Sequence, residues 1–316
     1  MDRIPSVDLR DFLSDNPDRK QQFISDIGKA YEEIGFVALR GHFLSEDLVE
    51  RLYNEVRNFF KLPLEIKQKY EFPGIGGQRG YVSFGKESAK GKKEGDLKEF
   101  WHFGQYVQND PDLEAEYPKN AEVEELPEFN AVGKETYRML EKTAKYVLRA
   151  LALYLGLEET YFDDYIHNGN SILRPIHYPP ILEEPKNAVR AAAHGDINLI
   201  TLLMGAQGRG LQVKNHEGEW IDAIAQPDEL MINVGDMLSR HTNNKLKSTI
   251  HRVVNPPREL WGTSRYSIPF FMHPISSMKL DVLSSCVDND NPKQFDDITA
   301  GDFLNERLIE LGLIKK

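Results

Sequence analysis

Six short apolar runs dominate the second half of this sequence: Ser171–Tyr178, Asn198–Met204, Leu211–Lys214, Leu230–Asn233, Thr249–Val254 and Tyr266–Phe271, separated by clusters of Gly, Pro and Asn. Short strands at this spacing predict an all-β sandwich or barrel and argue against a doubly wound sheet. The flanks read differently. Phe23, Ile27, Ala30 and Ile34 recur at helical spacing over Pro17–Ile34, with Gly35 where a helix would stop. Phe36–Leu39 reads as a short buried strand. Ser45 is a good N-cap for a helix carrying Leu48, Leu52, Val56 and Phe59 as far as Pro63. The Gly-, Lys- and Glu-rich stretch Glu71–Asp96 reads as an exposed loop. A long helix is predicted over Phe129–Leu155 from Leu140, Ala144, Val147 and Leu151, and a last one from Thr299 with Phe303, Leu304, Leu308 and Leu311.

Composition narrows the class of partner. Thirty-nine Lys and Arg stand against 50 Asp and Glu in 316 residues, a net charge of −11. Binding a phosphate backbone or an anionic membrane rests on clustered cations, so neither nucleic acid nor membrane is expected, and a small molecule is. With 40% hydrophobic and 10% aromatic residues the chain can bury a sizeable core. Its one cysteine, Cys286, can form no intramolecular disulfide and excludes a four-thiolate metal site, so any metal must be held by His and carboxylates. Met1–Phe12 lacks the pattern of an export signal, and no run of about 18 apolar residues occurs. A cytoplasmic location is the expectation, with oligomeric state open.

Most of the nine histidines need no functional account. His194 differs because it stands in Ala193-His194-Gly195-Asp196, and residues two apart on a strand share a face. Such a pair is common by chance, so the later residues decide. His251, in Ser248-Thr249-Ile250-His251-Arg252-Val253, lies in another strand-like run and can supply a third ligand. Two His and one carboxylate leave several metal positions open, as in non-haem Fe(II) oxygenases. Arg265-Tyr266-Ser267 adds a second alternate pair. With His251 and Arg265 on neighbouring antiparallel strands joined through Asn255-Pro256-Pro257, the guanidinium would share the metal's interior. A buried, unpaired Arg costs roughly 3 to 5 kcal/mol, so it must meet an anion, and a carboxylate suits it.

These residues resemble the iron- and 2-oxoglutarate-dependent dioxygenases of the isopenicillin N synthase-like type. The likeness runs through Ile4-Pro5-Ser6-Val7-Asp8-Leu9, Gly35-Phe36-Val37 and Arg79-Gly80-Tyr81 to His194-Gly195-Asp196, Lys247 to Val253 and Arg265-Tyr266-Ser267. The resemblance implies Fe(II) on His194, Asp196 and His251. It implies the distal carboxylate of 2-oxoglutarate on Arg265 and Ser267, with Tyr178 of His177-Tyr178-Pro179-Pro180 also touching that cosubstrate; Ile176 stands where the family has Asn. The implied fold is mainly β with flanking helices: a double-stranded β-helix (jelly-roll, cupin-like) core with an N-terminal α/β lobe. The divisions expected are 1–120 for that lobe, 121–165 for the linking helix region, 166–276 for the core and 277–316 for the C-terminal extension. The implied activity is oxidation, chiefly hydroxylation, of a small organic substrate by O2 with release of succinate and CO2. An oxidase that dispenses with 2-oxoglutarate, a zinc enzyme and a non-catalytic binder are the alternatives. His-Glu-x-x-His, the usual mark of hydrolytic zinc, is absent.

Other features carry less. Phe100 and His102, within Lys98–Phe103, either line a substrate pocket or pack between lobes, and Phe271 is the better pocket candidate. His177 reads as a satisfied core residue. Lys86, Lys90, Lys92 and Lys93, interleaved with acids, read as a solvated loop. Gly74–Gly80 lacks dinucleotide spacing and reads as a flexible turn, and Asp288–Pro292 lacks the features of a calcium loop. Cys286 is read as inert. Phe303, Leu304 and Leu308 form an apolar face that suits a partner or the protein's own core.

Overall fold

The computed structural model of the protein describes residues 3–86, 96–185, 189–204 and 210–310. Its strands, in chain order, are β1 (Ser6–Asp8), β2 (Phe36–Arg40), β3 (Gly80–Val82), β4 (Glu99–His102), β5 (Ile172–Leu173), β6 (Ile176–Tyr178), β7 (Ala191–His194), β8 (Ile200–Met204), β9 (Leu211–Lys214), β10 (Trp220–Asp222), β11 (Leu230–Val234), β12 (His251–Val253) and β13 (Arg265–Met272). They form two sheets. The larger runs β1-β2-β11-β8-β13-β6-β4-β3, with β5 also on β13, and the smaller runs β10-β9-β12-β7. Among these strands only β1 against β2 is parallel. This is the expected jelly-roll, a double-stranded β-helix.

The apolar runs are continuous because the central strands are covered on both faces. Alternate residues of β2 serve opposite sides: Val37 and Leu39 join the core beneath the helices, while Phe36 and Ala38 meet Val213 of the smaller sheet. On β11, Leu230, Ile232 and Val234 face the helical side and Met231 the inter-sheet side. This second cluster packs residues of the larger sheet against Val213 of the smaller one.

Helices back the larger sheet. Pro17–Glu33 begins at Asn16, whose side chain accepts from the Asp18 N–H at 2.9 Å, and Glu46–Lys61 begins at Ser45, which accepts from Leu48 N–H at 3.2 Å. The long helix Pro127–Tyr154 buries Leu140, Ala144, Val147 and Leu151, as its periodicity predicts. Gly28 permits its contact with Pro17–Glu33, since an added Cβ would lie 2.2 Å from the Tyr154 ring. No helix among the described residues is long and apolar enough to cross a membrane.

One of these expectations needs correction. Glu71–Asp96 is not all exposed loop: it contains β3, in which Tyr81 is buried and donates its hydroxyl proton to Glu99. Pairing with β4 supplies the burial that local composition hides. Lys86 pairs with Glu71 at 2.7 Å, while Lys90, Lys92 and Lys93 lie outside the described residues. The final helix is Ala300–Glu310; its Phe303 is buried against the protein's own core, and Leu311 lies outside the described residues.

Candidate metal centre

β7 and β12 are antiparallel neighbours with His194 directly opposite His251. Directly opposed residues project from one face, so the imidazoles meet, with ring centroids 4.5 Å apart. Asp196 Oδ1 lies 4.0 Å from His194 Nε2 and 3.8 Å from His251 Nε2. One ligand atom from each residue falls within 4.8 Å of the others. The expectation that strand alternation alone brings His194 and Asp196 together is corrected, because β7 ends at His194. Asp196 arrives through a turn held by the Asp236 N–H, which donates to the Asp196 carbonyl at 2.7 Å.

Hydrogen bonding orients all three groups. His194 Nδ1 is 2.7 Å from the Ala192 carbonyl and His251 Nδ1 is 3.2 Å from that of Thr249. A carbonyl only accepts, so each Nδ1 carries the proton and each Nε2 offers its lone pair to the shared point. Asp196 Oδ2 accepts from Thr201 Oγ1 at 2.6 Å and Asn233 Nδ2 at 2.8 Å, which leaves Oδ1 for a ligand. Thr201 sits on β8 and Asn233 on β11, so the larger sheet steadies a carboxylate carried by the smaller one. The sequence reading missed both. Their signal was a polar residue interrupting an otherwise apolar, buried run.

Electrostatics keeps the set ready for a cation. Burial opposes the Asp196 charge, but His251 and His194, then the bonds from Asn233 and Thr201, outweigh it and hold the carboxyl below its ordinary range. His194 turns 43% of its side chain toward the cavity, yet crowding strips water from the ring and His251 adds repulsion. Its pKa falls from the ordinary 6.5 to about 4. The imidazolium is thus disfavoured in the folded protein but not in the unfolded chain. Urea unfolding of the metal-free protein should show His194's contribution in full above about pH 6.5, lost progressively as pH falls toward about 4. His194→Gln should flatten that part of the profile, and an unchanged profile would contradict the assignment.

The other sheet supplies a cationic wall. Arg265 pairs with Tyr178 across β13 and β6, and Ser267 pairs with Ile176. Arg265 and Tyr178 are each 2% exposed, with the guanidinium carbon 5.0 Å from the ring centroid. Among the described residues, none of the three guanidinium nitrogens has a hydrogen-bond partner. That orphaned cation fits the distal carboxylate of a dicarboxylic acid. The expectation that His251 and Arg265 lie on neighbouring strands is also corrected: β12 belongs to the smaller sheet and β13 to the larger. Pro256 and Pro257 cannot extend a ladder, so the chain crosses between sheets here.

A cavity of about 1230 Å³ opens above His194 and Asp196, room enough for a small molecule beside a cosubstrate. Phe100, His102 and Phe271 all line it. The Lys98–Phe103 ambiguity resolves by alternation along β4: Phe100 and His102 face the cavity, while Trp101 and Phe103 join the core. Arg174, which the sequence reading missed, stacks 4.6 Å from the Phe100 ring and 5.0 Å from Phe271, and donates to His102 Nε2 at 2.5 Å. Leu304 and Leu308 complete the wall from the last helix. His177 contacts Glu99 at 2.8 Å and Ser264 at 3.0 Å, a satisfied residue away from the ligand set.

Comparison with known proteins agrees with this arrangement. The family model of the 2OG-Fe(II) oxygenase superfamily matches residues 169–274, and that of the N-terminal region of non-haem dioxygenases in morphine synthesis matches residues 4–125. A 2-oxoglutarate-Fe(II) type oxidoreductase from Aspergillus fumigatus is 32% identical over 282 residues, covering 84% of this chain and 81% of its own. A solved 2OG-Fe(II) oxygenase family protein from Caulobacter crescentus is 40% identical, covers 98% of this chain and 100% of its own, and has a TM-score of 0.89. A Neurospora crassa protein, solved at full length in complex with alpha-KG and thymine, is 29% identical, covers 96% of both chains and has a TM-score of 0.85. The chain belongs to the 2OG-Fe(II) oxygenase superfamily. It is a non-haem iron, 2-oxoglutarate-dependent dioxygenase that oxidises a small organic substrate, rather than the oxidase that dispenses with 2-oxoglutarate.

Proposed function

We propose that His194, Asp196 and His251 hold Fe(II), that Arg265, Ser267 and Tyr178 hold the distal carboxylate of 2-oxoglutarate, and that the reaction is hydroxylation of a small, flat substrate. The observation that carries the reading is three candidate ligand atoms within 4.8 Å of one another, in a protein whose buried Arg265 meets no anion among the described residues. Bound iron and 2-oxoglutarate supply the O2 chemistry, with succinate and CO2 as co-products. The protein's part is geometry. Thr201 and Asn233 fix the carboxylate, the Ala192 and Thr249 carbonyls fix the imidazoles, and Leu304 and Leu308 help exclude water.

The rings of Phe100 and Phe271, with the Arg174 guanidinium between them, offer stacking surfaces and hydrogen-bond donors above the metal ligands. A flat ring with carbonyl acceptors suits such a wall, and the Neurospora crassa relative holds thymine in its structure. An unpaired, buried Cys286 fits a cytoplasmic location, and the acidic net charge of −11 gives nucleic acid little to bind.

Anaerobic addition of Fe(II) and 2-oxoglutarate tests the core of this. A weak visible charge-transfer band should form, and admission of O2 with candidate flat heterocycles should release succinate and a hydroxylated product. Iron retained without a band or succinate would sink the 2-oxoglutarate assignment of these residues.

A further inference from the structure

We propose that Arg190 is a second anchor for the distal carboxylate of 2-oxoglutarate, acting with Arg265 from the opposite sheet. This rests on the Arg265 assignment above. Arg190 lies just before β7, the strand that carries His194, and is 3% exposed. Its guanidinium carbon stands 5.8 Å from the Tyr178 ring centroid, the same ring that Arg265 faces at 5.0 Å.

Two buried guanidiniums therefore gather about one aromatic side chain, and no carboxylate pairs with either among the described residues. Arg190 spends one nitrogen on a long 3.5 Å bond to the Thr263 carbonyl, two residues before Arg265, and its Nε has no partner among the described residues. Loss of hydration, then repulsion from Arg265, lowers its pKa to about 10. A tyrosine ring attracts a cation but cannot neutralise two. A buried cation left unpaired is costly, and two costs fall together when one carboxylate accepts from both. Fe(II) and Asp196 bring one net positive charge to the other end of the same dianion, so the acid spans two cationic poles.

The competing role for Arg190 is a pillar that merely packs on Tyr178. Calorimetry separates the two, using Mn(II)-loaded protein, which binds without turnover, and a pair of ligands. One is 2-oxoglutarate; the other is 2-oxopentanoate, of equal carbon number but with a methyl group in place of the distal carboxylate. In R190Q, 2-oxoglutarate affinity should fall about 10- to 100-fold, the loss of a charge-assisted bond, while 2-oxopentanoate stays within about threefold. R190K, which keeps the charge, should retain most of the preference for 2-oxoglutarate and covers the case in which R190Q folds poorly. Unchanged 2-oxoglutarate affinity in R190Q, equal losses for both ligands, or collapse of the preference in R190K would each overturn the proposal. Arg265→Gln run alongside tells the two ideas apart. If it too leaves 2-oxoglutarate affinity intact, the underlying anchor assignment fails; if it alone weakens binding, only the role of Arg190 does.

Discussion

Asp196→Ala should abolish iron retention and turnover while leaving a cooperatively folded protein. Changes to outer groups around a metal already cost about 10- to 100-fold in affinity, and this one removes a ligand and the negative charge that offsets the cation. Thr201 Oγ1 and Asn233 Nδ2 would lose their shorter acceptor and keep only the longer bonds to Asn198 and the Val234 carbonyl, a destabilisation of about 1 kcal/mol, partly offset because a buried carboxylate no longer has to be desolvated. Anaerobic Fe(II) titration reads the first effect and urea unfolding the second. Asp196→Asn is the companion variant, keeping the shape and an oxygen acceptor without the charge. Oxygenase activity surviving in Asp196→Ala would remove this carboxylate from the centre.

Arg265→Met should separate binding from stability in the opposite sense. The thioether occupies much of the same volume without a charge, so the apo protein should unfold at the same or a higher temperature, as replacing a poorly compensated buried ion by an apolar side chain often allows. Affinity for 2-oxoglutarate should fall steeply, since losing one side of a buried charged pair costs about 2 to 5 kcal/mol, roughly 30-fold to several thousandfold. Iron binding without cosubstrate should be spared, because the proposed ligands sit on the other sheet and its turn. Undiminished 2-oxoglutarate affinity would take Arg265 out of the cosubstrate site. A large drop in apo stability would mean that the guanidinium is satisfied in some way other than by an incoming acid.

The proposed metal ligands, whose side chains do converge, were legible in the sequence because His194, Asp196 and His251 sit in short strings flanked by strand-like residues, and Arg265 with Ser267 repeats the alternation. The route by which they meet was not legible. Alternation explained too much: Asp196 comes from a turn, and the Arg265 strand lies across the barrel from that of His251. Such facts depend on which strand pairs with which, a long-range matter that spacing cannot encode. β3 and β10 escaped notice because three-residue strands amid Gly, Lys and Glu leave almost no periodic signal. Arg174 and Arg190 escaped for another reason. Single arginines are ordinary on protein surfaces, and only burial against Phe100, Phe271 and Tyr178 sets these two apart.

The split of the site between two sheets has a consequence for its geometry. No ladder hydrogen bond joins β12 to β13, so the spacing of His251 and Arg265 depends on side-chain packing between the two layers, to which Phe36, Met231 and Val213 contribute. Phe36 also meets the His251 ring edge-on, with centroids 5.6 Å apart, so trimming it should loosen a proposed metal ligand along with the spacing of the layers.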